Sequence, residues 1–285
     1  MSIQQSSRIW LVTGASSGFG YEVTKYALSK GDKVVAATRN ISTLEPLSKQ
    51  YPTNLLAVRT DVRKLTDIQN AFTKAKETFG RLDVVFSNAG YTMLGEVEGT
   101  PEEHARDIFE TNFWGALHVQ KEAVRFFREV NPPDARGGRI IQNSSASAIV
   151  CFPGTGLYNA SKHAIDAATE SLALELDPAW NIKISLVLPA MFETPQRTKN
   201  LVVIPPHPAY QSQDLSANQT RLFTVGTTFP NNVETAVDII YKLSELKNPP
   251  MRLALGEQAL GAVRQKIESL KKELEQYEGG SRLLG

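Results

Sequence analysis

The stretch that most constrains this chain lies near its start. Residues 8–13, RIWLVT, form a short apolar run, followed by Gly14-Ala15-Ser16-Ser17-Gly18-Phe19-Gly20 and then a helical pattern through Tyr26 and Leu28. A short apolar run closed by a glycine cluster reads as a buried strand. Strand, glycine-rich turn and helix, in that order, is the context of a dinucleotide site. There the glycines let the backbone turn tightly and approach a pyrophosphate seated on the helix N-terminus. The spacing is G-x-x-x-G-x-G rather than G-x-G-x-x-G. Taken alone, the glycines therefore leave a plain strand–helix turn open.

The rest of the chain repeats the same alternation. Residues 33–37 read as a second strand, 55–60 as a third, 84–86 as a fourth, 137–145 as a fifth and 183–188 as a sixth. Helical patterns occupy 64–79, 101–130 and 158–177. The long helix has Thr100-Pro101 at its start, a cap followed by proline at the first helical position. Apolar strands alternating with helices predict a parallel, doubly wound α/β sheet buried on both faces. No internal repeat or low-complexity linker divides residues 1–285, so one domain is expected.

The end of the second strand bears on the ligand. An NAD site usually places an acid there for the ribose 2′-hydroxyl. Here Thr38 occupies that place and Arg39 follows. A guanidinium can clamp a 2′-phosphate, which a carboxylate would repel. NADP(H) is the expected cofactor, with NAD(H) as the alternative if Arg39 faces solvent.

A second cluster lies in SASAIVCFPGTGLYNASK, residues 145–162. Tyr158 and Lys162 are four apart and share a helix face. An ammonium beside a phenol favours the phenolate and draws the tyrosine down from its unperturbed pKa of roughly 10. A tyrosine so tuned can give a proton to a carbonyl oxygen or take one from an alcohol. Ser145 just upstream can polarise the same oxygen. By itself Tyr-x-x-x-Lys is also a common surface pair. It gains force from the hydride-donor site predicted at the start of the chain.

Composition removes other classes. The net charge of +1 argues against a nucleic-acid surface. A single cysteine, Cys151, excludes an internal disulfide and a cysteine-based zinc site. The four histidines (His104, His118, His163 and His207) lack ligand spacing, so no metal is expected. No apolar run approaches the ~18 residues of a membrane span, and MSIQQSSR carries no apolar leader. A cytoplasmic protein without membrane contact is expected.

With TGASSGFG at 13–20, NAG at 88–90, Asn112, Ser145 and YNASK at 158–162 in place, the chain resembles the short-chain dehydrogenase/reductase family over roughly residues 8 to 256. It looks most like the NADP(H)-dependent ketone reductases of the hydroxysteroid and retinol dehydrogenase kind. The resemblance implies a Rossmann fold with a parallel sheet of about seven strands and helices on both faces. It implies Tyr158 as general acid in reduction, Ser145 as holder of the substrate oxygen, and Lys162 as modulator of Tyr158 and partner of the nicotinamide ribose. Asn112 would hold a water linking Lys162 to solvent. Cofactor contacts would come from Gly14, Ser16, Ser17, Gly18, Phe19, Gly20, Thr38 and Arg39. They would continue through Asp61, Val62, Asn88, Ala89, Gly90, Tyr158, Lys162, Pro189 and Thr194. Two positions depart from the family pattern: Ala190 replaces a usual glycine and Ser87 a usual asparagine.

Residues 190–231 are proline-broken and apolar, which suits a flap over a bulky apolar substrate or a segment simply packed on the core. Met191 and Phe192 there, and Cys151 in the serine–tyrosine loop, are candidate pocket residues with Ser145 and Tyr158. For Cys151 a small apolar filler is the favoured reading. Residues 257–277 place Leu260, Val263, Ile267, Leu270, Leu274 and Tyr277 in one stripe, to be packed on the domain or a partner. The family resemblance implies a homodimer or homotetramer. The reading that follows is an NADP(H)-dependent oxidoreductase interconverting a ketone or aldehyde and an alcohol, with carbonyl reduction of a bulky apolar substrate favoured. The alternatives are an NAD-dependent alcohol dehydrogenase of the same fold and a non-catalytic NADP(H)-binding sensor.

Overall fold

The computed structural model describes residues 7–192, 200–227 and 231–282. Seven parallel strands form one sheet. They are β1 (Ile9–Thr13), β2 (Lys33–Thr38), β3 (Leu55–Arg59), β4 (Val84–Ser87), β6 (Gly138–Asn143), β7 (Ile182–Pro189) and β9 (Arg252–Leu255), in the order β3-β2-β1-β4-β6-β7-β9. A separate two-stranded parallel ladder joins β5 (Thr92–Leu94) to β8 (Leu201–Val203).

Successive strand residues face opposite sides of a sheet. The strand sequences fill both sides with apolar groups. Leu11, Val35, Ala37, Val85 and Ile140 pack against α3 (Leu65–Phe79) and α5 (Ala116–Arg125) through Ile68, Phe72, Val119 and Ala123. Trp10, Val12, Val34, Ala36, Phe86 and Ile141 face the other way, onto α1 (Gly18–Ser29) and α8 (Val233–Glu245) through Val23, Ala27, Val237 and Ile240. Each fully buried side chain of this kind contributes roughly 1.5–3 kcal/mol. The doubly wound sheet expected from the sequence is the one observed.

Element boundaries differ in instructive ways. The helix expected over 101–130 is α4 (Glu102–Phe109), a π-helical turn at Glu110–Gly115, α5, and a second π turn at Phe126–Val130. The first π turn carries Asn112, whose side-chain amide is drawn to the backbone of Tyr91. That tertiary pair accompanies the widened turn. The strand expected to reach Ser145 ends at Asn143, because Ser145 caps the following turn at Ala146–Ala148. α6 spans Gly156–Glu175, starting two residues before Tyr158.

The C-terminal helix α9 runs Glu257–Ser281, longer than the apolar stripe required. Ala259 is buried, but Ile267, Leu270, Leu274 and Tyr277 are exposed. The far half of the stripe is therefore not packed on its own domain. No helix among the described residues is long and apolar enough to cross a membrane.

Candidate active site

β1 delivers the chain to Gly14, which turns with φ +67°, and Gly18 follows with φ +51°. A side chain at Gly14 would approach Ala89 Cα within 2.9 Å. One at Gly20 would lie 2.4 Å from the Gly14 carbonyl oxygen and 2.5 Å from Asn88 Nδ2. The three positions require glycine because the turn, the helix start and the end of β4 meet there. α1 begins at Gly18 with no acid in its first turn and no capping bond from Ser17, whose Oγ instead accepts from Asn200 Nδ2 at 3.0 Å. First-turn N–H groups and the positive end of the helix dipole suit an anion. This glycine-lined cradle at a helix N-terminus fits a dinucleotide pyrophosphate.

Asn88 holds the cradle from below. Its side chain donates to the carbonyl oxygens of Thr13 (2.9 Å) and Gly14 (3.4 Å), while Thr13 Oγ1 accepts the backbone N–H groups of Asn88 and Ala89. Phe19 meets Phe192 edge to face at 5.1 Å. Gly90 lies where a Cβ would come 3.0 Å from Asn112 Oδ1.

At the other end of the cradle, Thr38 is buried and Arg39 exposed. Asp61 is already engaged. Arg63 forks onto it, Nε to Oδ1 at 3.0 Å and Nη2 to Oδ2 at 2.7 Å. These bonds hold the Asp61 carboxyl below its ordinary range, and the charges of Arg63 and Arg39 act in the same direction. Val62 is buried against Gly115, whose Cβ would meet Val62 Cγ2 at 2.8 Å.

The proton-transfer candidates gather where β6 ends. Ser145 is buried, and its Oγ accepts the Ser147 N–H at 3.1 Å. Lys162 is buried, its Nζ donating to the Asn143 carbonyl oxygen at 3.0 Å and lying 5.9 Å from the Tyr158 ring centroid. Asn143 Nδ2 in turn donates to Asn88 Oδ1 at 2.8 Å. One chain of hydrogen bonds thus runs from the glycine turn through Asn88 and Asn143 to Lys162. Asn112 is held at both side-chain atoms: its Oδ1 accepts from Tyr91 N–H, and its Nδ2 donates to Tyr91 O and Ser161 Oγ.

The flap is tied down on two sides. Its strand β8 pairs with β5, and its helix α7 (Ser216–Gly226) carries Arg221, which forks onto Glu96 at 2.5 and 2.6 Å. Both partners of that pair are buried, and the guanidinium holds the Glu96 carboxyl below its ordinary range. Cys151 is exposed, so the reading as a packed filler is corrected: loop residues 151–153 are all solvent-facing. Met191 is exposed. Phe192 is packed on Phe19. Pro189 ends β7, while Thr194 lies outside the described residues.

A family model described as short chain dehydrogenase matches residues 8–201. The chain belongs to the short-chain dehydrogenase family. The chain is 34% identical over 266 residues to an uncharacterized oxidoreductase of Schizosaccharomyces pombe, covering 93% of this chain and 87% of that one. It superimposes with a TM-score of 0.88 and 30% identity on a short-chain dehydrogenase from Streptomyces avermitilis, covering 97% and 98% of the two chains. A Burkholderia phymatum member solved in complex with NAD shares the fold at 23% identity and TM-score 0.77, covering 94% and 95% of the two chains.

Three residues around the site carry no sequence signal. Asn143 links the cradle to Lys162. Arg63 occupies the Asp61 carboxylate. Asp166 lies four residues beyond Lys162, buried against Ser144. An acid on a helix and a basic residue after a strand both read as surface until the fold brings their partners near.

Proposed function

We propose that this short-chain dehydrogenase uses NADP(H) to reduce the carbonyl of a bulky apolar ketone or aldehyde, and runs the reverse reaction on the alcohol. The observation that carries the reading is the bond of Lys162, one helical turn from Tyr158, to Asn143 at the end of β6 two residues before Ser145, joined to the glycine cradle through Asn88. Gly14, Ser16, Ser17, Gly18, Phe19 and Gly20 with the start of α1 would hold the pyrophosphate. Thr38, Arg39, Asp61 and Val62 would take the adenosine end, with Asn88–Gly90 beside it. Pro189, Tyr158 and Lys162 would take the nicotinamide end. When bound, the cofactor supplies the hydride.

Tyr158 Oη donates the proton to the carbonyl oxygen as it becomes an alkoxide, and Ser145 Oγ donates a hydrogen bond to the same oxygen. The Lys162 ammonium stabilises the phenolate left behind. Such general acid catalysis accounts for about 10²–10⁴-fold in rate. Arg39 at the end of β2 supports NADP(H), as a guanidinium pairs with a 2′-phosphate. Exposed Phe152, Met191, Leu222 and Val225 on the serine–tyrosine loop and flap support an apolar substrate. Assembly as a homodimer or homotetramer through α4–α5 and α6 belongs to the same proposal, supported by exposed Trp114 and Leu174.

The test is a fluorescence titration with NADPH and NADH, followed by a panel of ketones, quinones, steroids and aldehydes monitored at the nicotinamide absorbance. Tighter NADPH binding with turnover of a bulky ketone is expected. Equal or tighter NADH binding overturns the Arg39 assignment. Binding without turnover of any carbonyl overturns the reduction, and leaves a sensor.

A further inference from the structure

Residues four apart stack along a helix, so Tyr158, Lys162 and Asp166 follow one another on a single face of α6. Lys162 Nζ donates to the Asn143 carbonyl oxygen at 3.0 Å. One turn later, Asp166 Oδ1 accepts a short hydrogen bond from Ser144 Oγ. Ser144 is itself buried, its N–H bonded to the Val187 carbonyl oxygen at 2.9 Å. Two consecutive residues at the end of β6 are therefore gripped by two consecutive turns of α6. The next residue in the chain is Ser145.

The other carboxylate oxygen of Asp166 is buried with no hydrogen-bond partner, and the residue is 3% exposed. The charged groups around it are Lys162 and His163 on α6 and Arg252 on β9, which Glu170 of α6 holds in turn at 3.0 and 2.7 Å. Burial outweighs the attraction of these cations and pushes the carboxyl up to about 6. A buried acid left half-satisfied is a poor choice for stability alone. A perturbed acid beside a catalytic cluster is a candidate for function.

We propose that Asp166 is a positioning residue for Ser145: its carboxylate accepts a charge-assisted bond from Ser144 and pins the end of β6 to the helix that carries Tyr158 and Lys162. This rests on the reading of Tyr158 as proton donor. Hydrogen bonds to an ionised acceptor are roughly twice as strong as neutral ones. The carboxylate form therefore grips Ser144 more tightly than the acid form. Turnover rises as pH rises through the ionisation of Asp166.

The test is the pH dependence of kcat and KM for wild type, Asp166→Asn and Ser144→Ala, with the carbonyl found by the panel as probe and Tyr158→Phe alongside. Asparagine keeps an acceptor for Ser144 but never ionises. The expected wild-type profile has a limb with a midpoint near pH 6. That limb is absent in both variants. At pH 8 kcat falls about fivefold in Asp166→Asn, with KM unchanged, while at pH 5 the two proteins converge. The double variant is no worse than Ser144→Ala alone, because without the hydroxyl no bond is left for the charge to strengthen. A limb that survives in Asp166→Asn, or a change confined to KM or to thermal stability, overturns the proposal. If Tyr158→Phe turns over like wild type, the proton-donor reading itself has failed, which separates the two failures.

Discussion

Asp166 titrates in the fold near pH 6, against an ordinary value of 3.8. Between those values the folded chain keeps a proton that the unfolded chain has released, so folding is favoured toward the acid side. The contribution is fully present below about pH 4 and is lost as pH rises through 6. A gap of about two pKa units corresponds to roughly 3 kcal/mol. Asp166→Asn removes this dependence. Urea denaturation at pH 5 and pH 8 is expected to show the variant gaining on wild type by about 1–2 kcal/mol between the two pH values. A variant that loses ground at pH 8 would mean that the carboxylate is not destabilising there. The site was legible at this scale only where a spacing carried chemistry. Tyr158 and Lys162 share a helix face by their numbering alone, and Gly14, Gly18 and Gly20 announce a turn without side chains. Asp166 and Arg63 announce nothing, because a charged residue on a helix or after a strand is ordinarily solvated. Their meaning depends on Ser144 and Asp61, which the fold brings to them.

The flap shows how elements, rather than residues, escape a reading of the sequence. Its apolar character was plain, but its anchors were not. β5 and β8 are three residues each, too short to show an alternation. Glu96 and Arg221 are far apart in the chain and pair only because α7 folds onto the loop after β5. β9 was missed for a related reason: as an edge strand it is only partly buried, so Arg252-Leu253-Ala254-Leu255 lacks the apolar run that betrays β1 or β7. The opposite margin strand β3 is legible all the same, because Leu55-Leu56-Ala57-Val58 keeps a run of four apolar residues. Breaking the Glu96–Arg221 pair leaves a buried charge behind, at a cost of about 3–5 kcal/mol. Arg221→Met is expected to raise amide hydrogen exchange in α7 and β8 while the seven-stranded sheet stays protected. Combining it with Glu96→Leu restores most of that protection, since no charge is then stranded. Equal exchange in wild type and Arg221→Met would show that the ladder alone holds the flap.

On the scale of the molecule, the alternating pattern predicts a doubly wound sheet, and the glycine turn, NAG, Asn112, Ser145 and YNASK together mark the family. What covers the outside of α6 and α5 is a different matter, because surface composition does not record a partner. Leu174 on α6 is 83% exposed and Trp114, in the π turn before α5, is 45% exposed. If these faces join copies of the chain, Leu174→Glu places a charge in the contact. Light scattering is expected to show the variant shifted to monomer with its circular dichroism unchanged. An unshifted mass would move the contact elsewhere, with the exposed half of α9 the next surface to test.

The small β5–β8 ladder also fixes an order of events. Its two strands flank β6, α6 and β7 in the chain, so the ladder closes a loop that carries two of the seven sheet strands. Three paired residues repay little of the entropy of closing so long a loop. A chain leaving the ribosome therefore presents β1 to β7 before the flap strand has emerged to pair with β5. For that interval β5 stands as a short edge with no strand to pair with.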